Sequence, residues 1–129
     1  MALKSPQLRT FYKQLTRAEV NAGYICVPGA PGRIYTVVDA WVRAIGGAAD
    51  TTTSVDVTNG STIAVVFAVA ALAQDAVVRA GAANTTATNL LAAMTQGTAI
   101  KVIKAGAAMG TATHVDVCIE YAVSSAQAA

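Results

Sequence analysis

The feature that most constrains the fold is the stretch from Val27 to Gly47, where a proline- and glycine-rich corner leads into a long alternating run. Proline fixes φ and removes an amide donor, and glycine permits backbone conformations that other residues resist, so the corner interrupts regular structure. From Ile34 to Ile45 the side chains alternate with a period of two. This pattern predicts a β-strand with one face on a core and the other on a wetter or partner-facing surface. The predicted core-facing set is Ile34, Thr36, Val38, Ala40, Val42 and Ala44, and the opposite set is Tyr35, Val37, Asp39, Trp41, Arg43 and Ile45.

Further short strand patterns follow the same design along the chain. The dipeptide Asn59-Gly60 is the strongest hairpin signal. The pattern of Asn84 to Asn89 fits either a loop or an edge strand. That of Leu90 to Met94 fits either a strand or a helical turn. About eight short antiparallel strands predict an all-β fold, a β-sandwich or barrel, with the jelly roll as the usual eight-stranded form. A single β-sandwich domain is expected over residues 23–124, followed by a frayed tail over 125–129. The other predicted strands are Tyr24–Val27, Thr52–Thr58, Thr62–Val69, Ala76–Ala80, Thr98–Lys104 and Thr113–Val123.

Residues 1–22 are predicted to form a separate basic arm, either a short helix or an extended segment that a partner orders. Threonine at 16 with glutamate three residues later matches a capping box and predicts a helical turn through Ala22. Deletion of residues 1–17 is expected to leave the fold intact. The helical prediction rests on the i, i+3, i+4, i+7 spacing of Leu8, Phe11, Tyr12 and Leu15, with Arg9, Lys13 and Arg17 on the other side.

The charge content points to a partner-covered surface. The chain of 129 residues has the length of one domain, and only 12% of its residues are charged, against about 25% in an average soluble domain. A surface poor in charge predicts an obligate assembly component, with a compact domain that tolerates a bland surface as the alternative. The net charge is +2, and four basic residues precede the first acidic one, Glu19. We expect this basic segment to lie on an acidic protein surface rather than on nucleic acid.

No motif for catalysis or cofactor binding is present, so the chain is not expected to be an enzyme. His114, Asp116, Cys118 and Glu120 share one face of the last strand, but neighbours on that face lie about 7 Å apart, too far for four of them to hold one zinc ion. We therefore expect no metal, and pairing of these charges across the sheet with Arg43, Arg79 or Lys101. GxSxG and phosphate-binding loop motifs are absent.

Cysteines and aromatic residues are expected to have structural roles. Cys26 and Cys118 are predicted to be free thiols in a reducing compartment. The longest apolar run, Ile63 to Ala73, is far shorter than the roughly 18 residues that span a bilayer, so no membrane helix is expected. Two roles are possible for the aromatic residues Tyr24, Tyr35, Trp41 and Tyr121. They could form a stacking platform for sugars or bases, or they could pack in the core or an interface. The predicted core or interface anchors are Tyr35, Trp41, Phe67 and Tyr121.

The stretch from Leu15 to Gly47, with its helical turn, short strand, corner and long strand, resembles small β-sandwich proteins encoded beside the major capsid protein of tailed bacteriophages, and the closing HVDVCIEYAV resembles their last strand. This resemblance implies a capsid decoration (cement) protein on the virion surface, made in the host cytoplasm. It would form dimers or trimers and clamp neighbouring major capsid subunits. A phage tail or fibre-attachment component and a carbohydrate-binding module remain alternatives. The expected shell contacts are Leu8, Arg9, Phe11, Tyr12, Lys13 and Arg17.

Overall fold

The computed structural model describes residues 7–47, 52–69, 73–79 and 93–125, and these residues form a β-sandwich with one short helix. The all-β prediction is confirmed. The elements are β1 Gln7–Thr16, α1 Arg17–Ala22, β2 Tyr24–Val27, β3 Arg33–Ile45, β4 Thr52–Thr58, β5 Ile63–Ala68, β6 Val77–Arg79, β7 Ile100–Gly106 and β8 His114–Ser125.

The strands form two antiparallel sheets with the orders β1-β8-β3-β6 and β2-β7-β4-β5. We call them the first and the second sheet. The first strand pairs with the eighth, the second with the seventh, the third with the sixth and the fourth with the fifth. This nested pairing is the winding of a jelly roll, in which a long hairpin of strands folds over into two packed sheets. Strands distant in sequence are thereby brought side by side.

The core lies between the sheets and is built from alternate residues of both. In the first sheet the inward residues of β8, from Val115 to Val123, are almost fully buried at every second position. In the second sheet Val55 and Val57 of β4 face Phe67 and its neighbours on β5 in the same dry layer. The prediction that His114, Asp116, Cys118 and Glu120 share one face of this strand is confirmed, because the alternate, inward-facing residues are all apolar.

Of the two alternatives predicted for the N-terminal segment, the helical one is wrong over the first ten described residues. Gln7 to Thr16 is β1, which pairs with β8 without a register shift. In a strand, positions 8 and 12 point to one side and 11 and 15 to the other, so the predicted apolar stripe is divided between two faces. Leu8 and Tyr12 are exposed, whereas Phe11 packs on the core and Leu15 is fully buried.

The segment predicted as an arm is thus part of the first sheet from Gln7 onward, and the pairing energy of ten residues outweighs the weak helical spacing. Deletion of residues 1–17 would remove an entire strand and a buried leucine. The short helix predicted after it is confirmed: Thr16 and Glu19 form a complete capping box at the start of α1. Gly23 ends the helix with a φ of 92°.

A β-bulge changes the phase of β3 in its middle. The register with β8 shifts between Val37 and Asp39, so that Val38 is an extra residue. Before the bulge Tyr35 and Val37 are buried, and after it the buried set is Ala40, Val42 and Ala44. The predicted faces are therefore correct for the second half of the strand and wrong for the first half, since a single strict alternation cannot describe a bulged strand.

The remaining strand predictions agree with the structure within about two residues at each end. The Asn59-Gly60 turn joins β4 to β5, as the sequence predicts, with Asn59 Oδ1 accepting hydrogen bonds from the amides of Ser61 and Thr62. Asn84 to Asn89 and residues 90–92 lie outside the described residues, as do residues 126–129 of the predicted tail. Ser125, assigned to that tail, is the last residue of β8.

Candidate interaction face

The predicted shell-contact residues do not form one surface. Leu8 and Tyr12 are 72% and 58% exposed on the outer side of β1. Phe11 is partly buried against the core. Lys13 and Arg17, whose charges were expected to reach a partner, bond to this chain instead. Arg9 is exposed on the same side of β1 as Phe11 and Lys13, away from Leu8 and Tyr12.

Lys13 ties β1 to the helix and to β2. Its Nζ lies 3.4 Å from Glu19 Oε2, donates to Tyr24 Oη at 3.2 Å, and sits 4.5 Å from the centre of the Tyr24 ring. The hydrogen bond to Tyr24 is the main reason that the pKa of Lys13 is raised. Arg17 Nη1 donates to the carbonyl of Gly110 at 2.7 Å. These two cations hold the end of the sandwich together.

The four predicted anchors divide into three core residues and one surface residue. Tyr35, Phe67 and Tyr121 are buried. The Tyr35 and Tyr121 rings meet edge to face with centroids 5.6 Å apart, and Tyr35 Oη donates to the carbonyl of Pro28 at 2.8 Å. Trp41 instead follows the bulge on β3 and lies on the outer side of the first sheet. Of the four, only Trp41 is placed to contact a partner.

Strand pairing in the first sheet places Trp41 in a row of side chains that runs across the strands. The sequence alone does not show this row. Tyr12 on β1 and Trp41 on β3 both pair with Cys118 on β8, and Trp41 also pairs with Arg79 on β6. The rings of Tyr12 and Trp41 approach over Cys118 with centroids 6.0 Å apart and a 45° angle between their planes. We call the surface around this row the Trp41 face; its members are Tyr12, Asp39, Trp41, Arg43, Arg79, Asp116, Cys118 and Glu120.

Charges of both signs flank the aromatic pair. Arg79 Nη2 donates to Asp39 Oδ2 at 2.6 Å. Arg43 Nε lies 3.7 Å from Asp116 Oδ2, too far for a hydrogen bond, and this nitrogen and Asp116 Oδ1 are buried without a hydrogen-bond partner. The predicted pairing of the charges of β8 across the sheet is confirmed for Arg43, which pairs with Asp116. Arg79 forms its ion pair with Asp39 of β3 instead. The prediction is wrong for Lys101, which lies on β7 of the second sheet.

The depression on this face is too small for a cofactor or substrate. It is lined by Asp39, Trp41, Arg79, Cys118 and Glu120, among others, and its volume of about 30 Å³ is roughly a tenth or less of a typical ligand pocket. Desolvation, followed by the charges of Glu120 and Asp39, raises the pKa of the Cys118 thiol, so the thiolate needed for nucleophilic chemistry is disfavoured. The face is suited to covering by another surface.

The two cysteines are free, as predicted, and lie in different sheets. Burial raises the pKa of Cys26 to about 12, which keeps its thiol protonated at neutral pH. Within the described ranges no group of three or more histidine, cysteine, aspartate or glutamate side chains is arranged to hold a metal ion. The helices in that same part of the chain include none with the length and apolar character needed to cross a membrane.

No protein-family model matches the sequence, and comparison with curated proteins finds no similar chain. The function is therefore argued from the geometry of the Trp41 face and from the jelly-roll fold.

Proposed function

We propose that this protein is a structural virion component that binds the outer surface of a phage capsid and stabilises it by clamping neighbouring major capsid subunits. The observation that carries the proposal is the Trp41 face itself. An open sheet surface presents Trp41 and Tyr12 side by side, ringed by ion pairs, without a pocket of substrate size. Tryptophan, tyrosine and arginine are the residues that most often dominate the binding energy of protein interfaces.

The composition supports the same proposal. A chain with 12% charged residues and exposed apolar side chains at Leu8, Tyr12 and Val77 is stabilised when a partner covers them. Covering apolar area contributes about 25 cal/mol per Å² before the cost of association. Many copies on a symmetric shell multiply a modest contact into resistance against internal pressure. The fold adds support by analogy alone, since jelly rolls are frequent in viral capsid proteins.

The test is binding of the purified chain to intact capsids assembled from a major capsid protein of the same genome. We expect saturable, stoichiometric co-sedimentation and a higher temperature of capsid disruption. Trp41→Ala should lower the affinity at least about tenfold, because it removes the central aromatic side chain of the face. The control is Ile25→Ala, which shortens an exposed apolar side chain on β2 of the second sheet and should bind like the wild type.

Absence of binding to intact capsids would refute the proposal. Equal losses for the two variants would place the contact elsewhere than the Trp41 face. Binding to purified tails but not to heads would favour the alternative role as a tail or fibre-attachment component.

Carbohydrate binding is the candidate of a different class, favoured by the half-buried indole of Trp41 beside the carboxylates of Asp39 and Glu120. The 45° angle between the Tyr12 and Trp41 rings does not offer a flat stacking platform for a sugar, so we rank this function second. Saccharide binding that disappears in Trp41→Ala, together with no capsid binding, would reverse that order.

A further inference from the structure

Strand β1 is an edge strand of unusual length for this molecule. Within the described part of the chain its only strand neighbour is β8, so one side of its backbone has no ladder partner. It has ten residues, whereas the edge strands β6 and β2 have three and four, and β2 and β5 pair with register shifts. Short strands and bulges are the usual protection of a sheet edge against pairing with another chain. β1 has neither, and it contains no proline.

Charge protects this edge only in part: Arg9 is exposed, but Lys13 is turned away from the edge. A lysine in an edge strand commonly projects into solvent and discourages pairing. Lys13 instead reaches back to Glu19 and Tyr24, at 3.4 and 3.2 Å, and is held at the end of the sandwich. The other side of β1 carries uncharged exposed residues at Leu8, Thr10, Tyr12, Gln14 and Thr16. Among the described residues no second strand lies beside this edge, which borders a neutral outer surface, and the partner that fits such an edge is another β-strand.

The strand that we consider is β1 of a second copy of this chain, and the sequence of β1 favours one register for that pairing. Two copies related by a two-fold axis pair antiparallel, so the residue numbers of each opposed pair add to the same total. Each residue also stays on the same face of the sheet. An axis at Phe11 would set Arg9 against Lys13 of the second copy, a like-charge pair. An axis at Tyr12 sets Arg9 against Leu15 and Lys13 against Phe11, and it aligns all nine residues from Leu8 to Thr16. An axis at Lys13 would oppose two lysines.

We propose that two copies of this chain associate through β1, antiparallel and centred on Tyr12, to form one continuous eight-stranded sheet. Tyr12 then lies directly opposite Tyr12 of the second copy on the outer surface. Because each Tyr12 already contacts Trp41, the two Trp41 faces merge into one aromatic row that crosses the dimer. The dimer is independent of capsid binding, so its failure and that of the proposed function are measured separately.

The first test is the mass of the full chain in solution, measured by sedimentation velocity over a range of concentrations. We expect a dimer of twice 13.0 kDa that dissociates on dilution. Tyr12→Lys places two like charges opposite each other and should raise the dissociation constant at least tenfold. Gln14→Lys is the matched control, because it makes a similar change on the same face, but its counterpart there is Thr10. It should leave the dimer intact.

The second test is a cross-link that reads the register directly. In the proposed dimer the Cα atoms of the two Tyr12 residues lie about 4.5–5.5 Å apart, within the range that a disulfide spans. Because Cys118 lies opposite position 12 on β8 and would compete within one chain, the test is made in Cys118→Ser. In that background Tyr12→Cys, oxidised with glutathione disulfide, should give a covalent dimer. The two Gln14 residues would be separated by about 13 Å along the strands, so Gln14→Cys should not. Cys118→Ser alone, which retains Cys26, gives the background.

Each outcome decides the proposal. A dimer in solution that Tyr12→Cys cross-links supports it. A monomer at every concentration, a trimer, or a dimer in which Gln14→Cys cross-links and Tyr12→Cys does not would overturn it. Circular dichroism confirms the fold of each variant, and Tyr12 is exposed enough for its replacement to spare the core.

Discussion

The two faces of the first sheet are made by the same strands and differ in almost every property. The inner face consists of buried aliphatic and tyrosine side chains, such as Val37, Val42, Val117 and Ile119, each with essentially no exposed area. The outer face carries Trp41, Tyr12 and five charged residues within a few rungs of the ladder. The alternation of a strand thus separates the residues that determine the fold from those available for recognition.

The difference teaches that residue type alone does not assign a role in this molecule. Tyr35 and Trp41 lie on the same strand, both aromatic, yet one is in the core and the other on the outer surface. Had β3 alternated without interruption, positions 35 and 41 would share a face, because their separation is even. The bulge at Val38 sends them to opposite sides. Substitutions that treat the two faces differently should therefore separate stability from binding.

The largest expected effect is on the inner face. Tyr35→Ala should lower the free energy of unfolding by about 3–5 kcal/mol, because it removes a buried ring and leaves a cavity beside Tyr121. Trp41→Ala, six residues along the strand, should cost much less, since the indole lies on the outer side. Urea unfolding of both variants measures the difference. Equal losses would show that the outer face also maintains the fold, and the distinction between the faces would fail.

A smaller effect is expected at the junction between β1 and α1. Thr16→Ala removes the hydroxyl that accepts from the Glu19 amide at 3.2 Å and should cost about 1 kcal/mol. The control is Thr10→Ala, an exposed position on the same strand, which should lie within about 0.5 kcal/mol of the wild type. The same unfolding measurement applies. If the two variants were equally stable, the capping box would contribute nothing in this setting.

The smallest effect is a pH dependence at the same junction. The backbone amide of Thr16 donates to Glu19 Oε1 at 2.9 Å and is the main cause of the lowered pKa of that carboxyl, followed by Lys13. A carboxyl with a lowered pKa in the folded state contributes stability that is complete above its unfolded value, near 4.5, and is lost as the pH falls through the folded value. The stability of Glu19→Gln should therefore decline less than that of the wild type between about pH 6 and about pH 3. Parallel pH profiles would contradict this assignment.

Local patterns predicted much of the fold. The capping box, the Asn59-Gly60 hairpin and the boundaries of β2 and β4 depend on neighbouring residues, which the sequence displays directly. The jelly-roll winding was inferred from the number and spacing of strands. The N-terminal strand was missed because four apolar residues happened to fit a helical spacing, and pairing with β8, about 100 residues away, outweighs that preference.

The Trp41 face depended on information that a single sequence does not contain. Tyr12, Cys118 and Trp41 are far apart along the chain and become neighbours only through the registers of β1 and β3 with β8. The bulge in β3 also reverses which residues face outward, so simple alternation along the strand could not predict the face of Trp41 and Tyr35 together. The signal that remained was partial: Asp116 and Glu120 were correctly placed on the outer side of the last strand, and Arg43 and Arg79 were named as their possible counter-charges.

Trp41 is the only tryptophan of the chain, and it lies on the surface that we expect partners to cover. Its intrinsic fluorescence therefore reports on that surface without any added label. Withdrawal of water from the indole shifts its emission to shorter wavelengths, and the nearby Cys118 thiol is placed to quench it by contact. If a partner is titrated into the protein while the emission spectrum is recorded, a change in the Trp41 signal would show that the partner binds at this face.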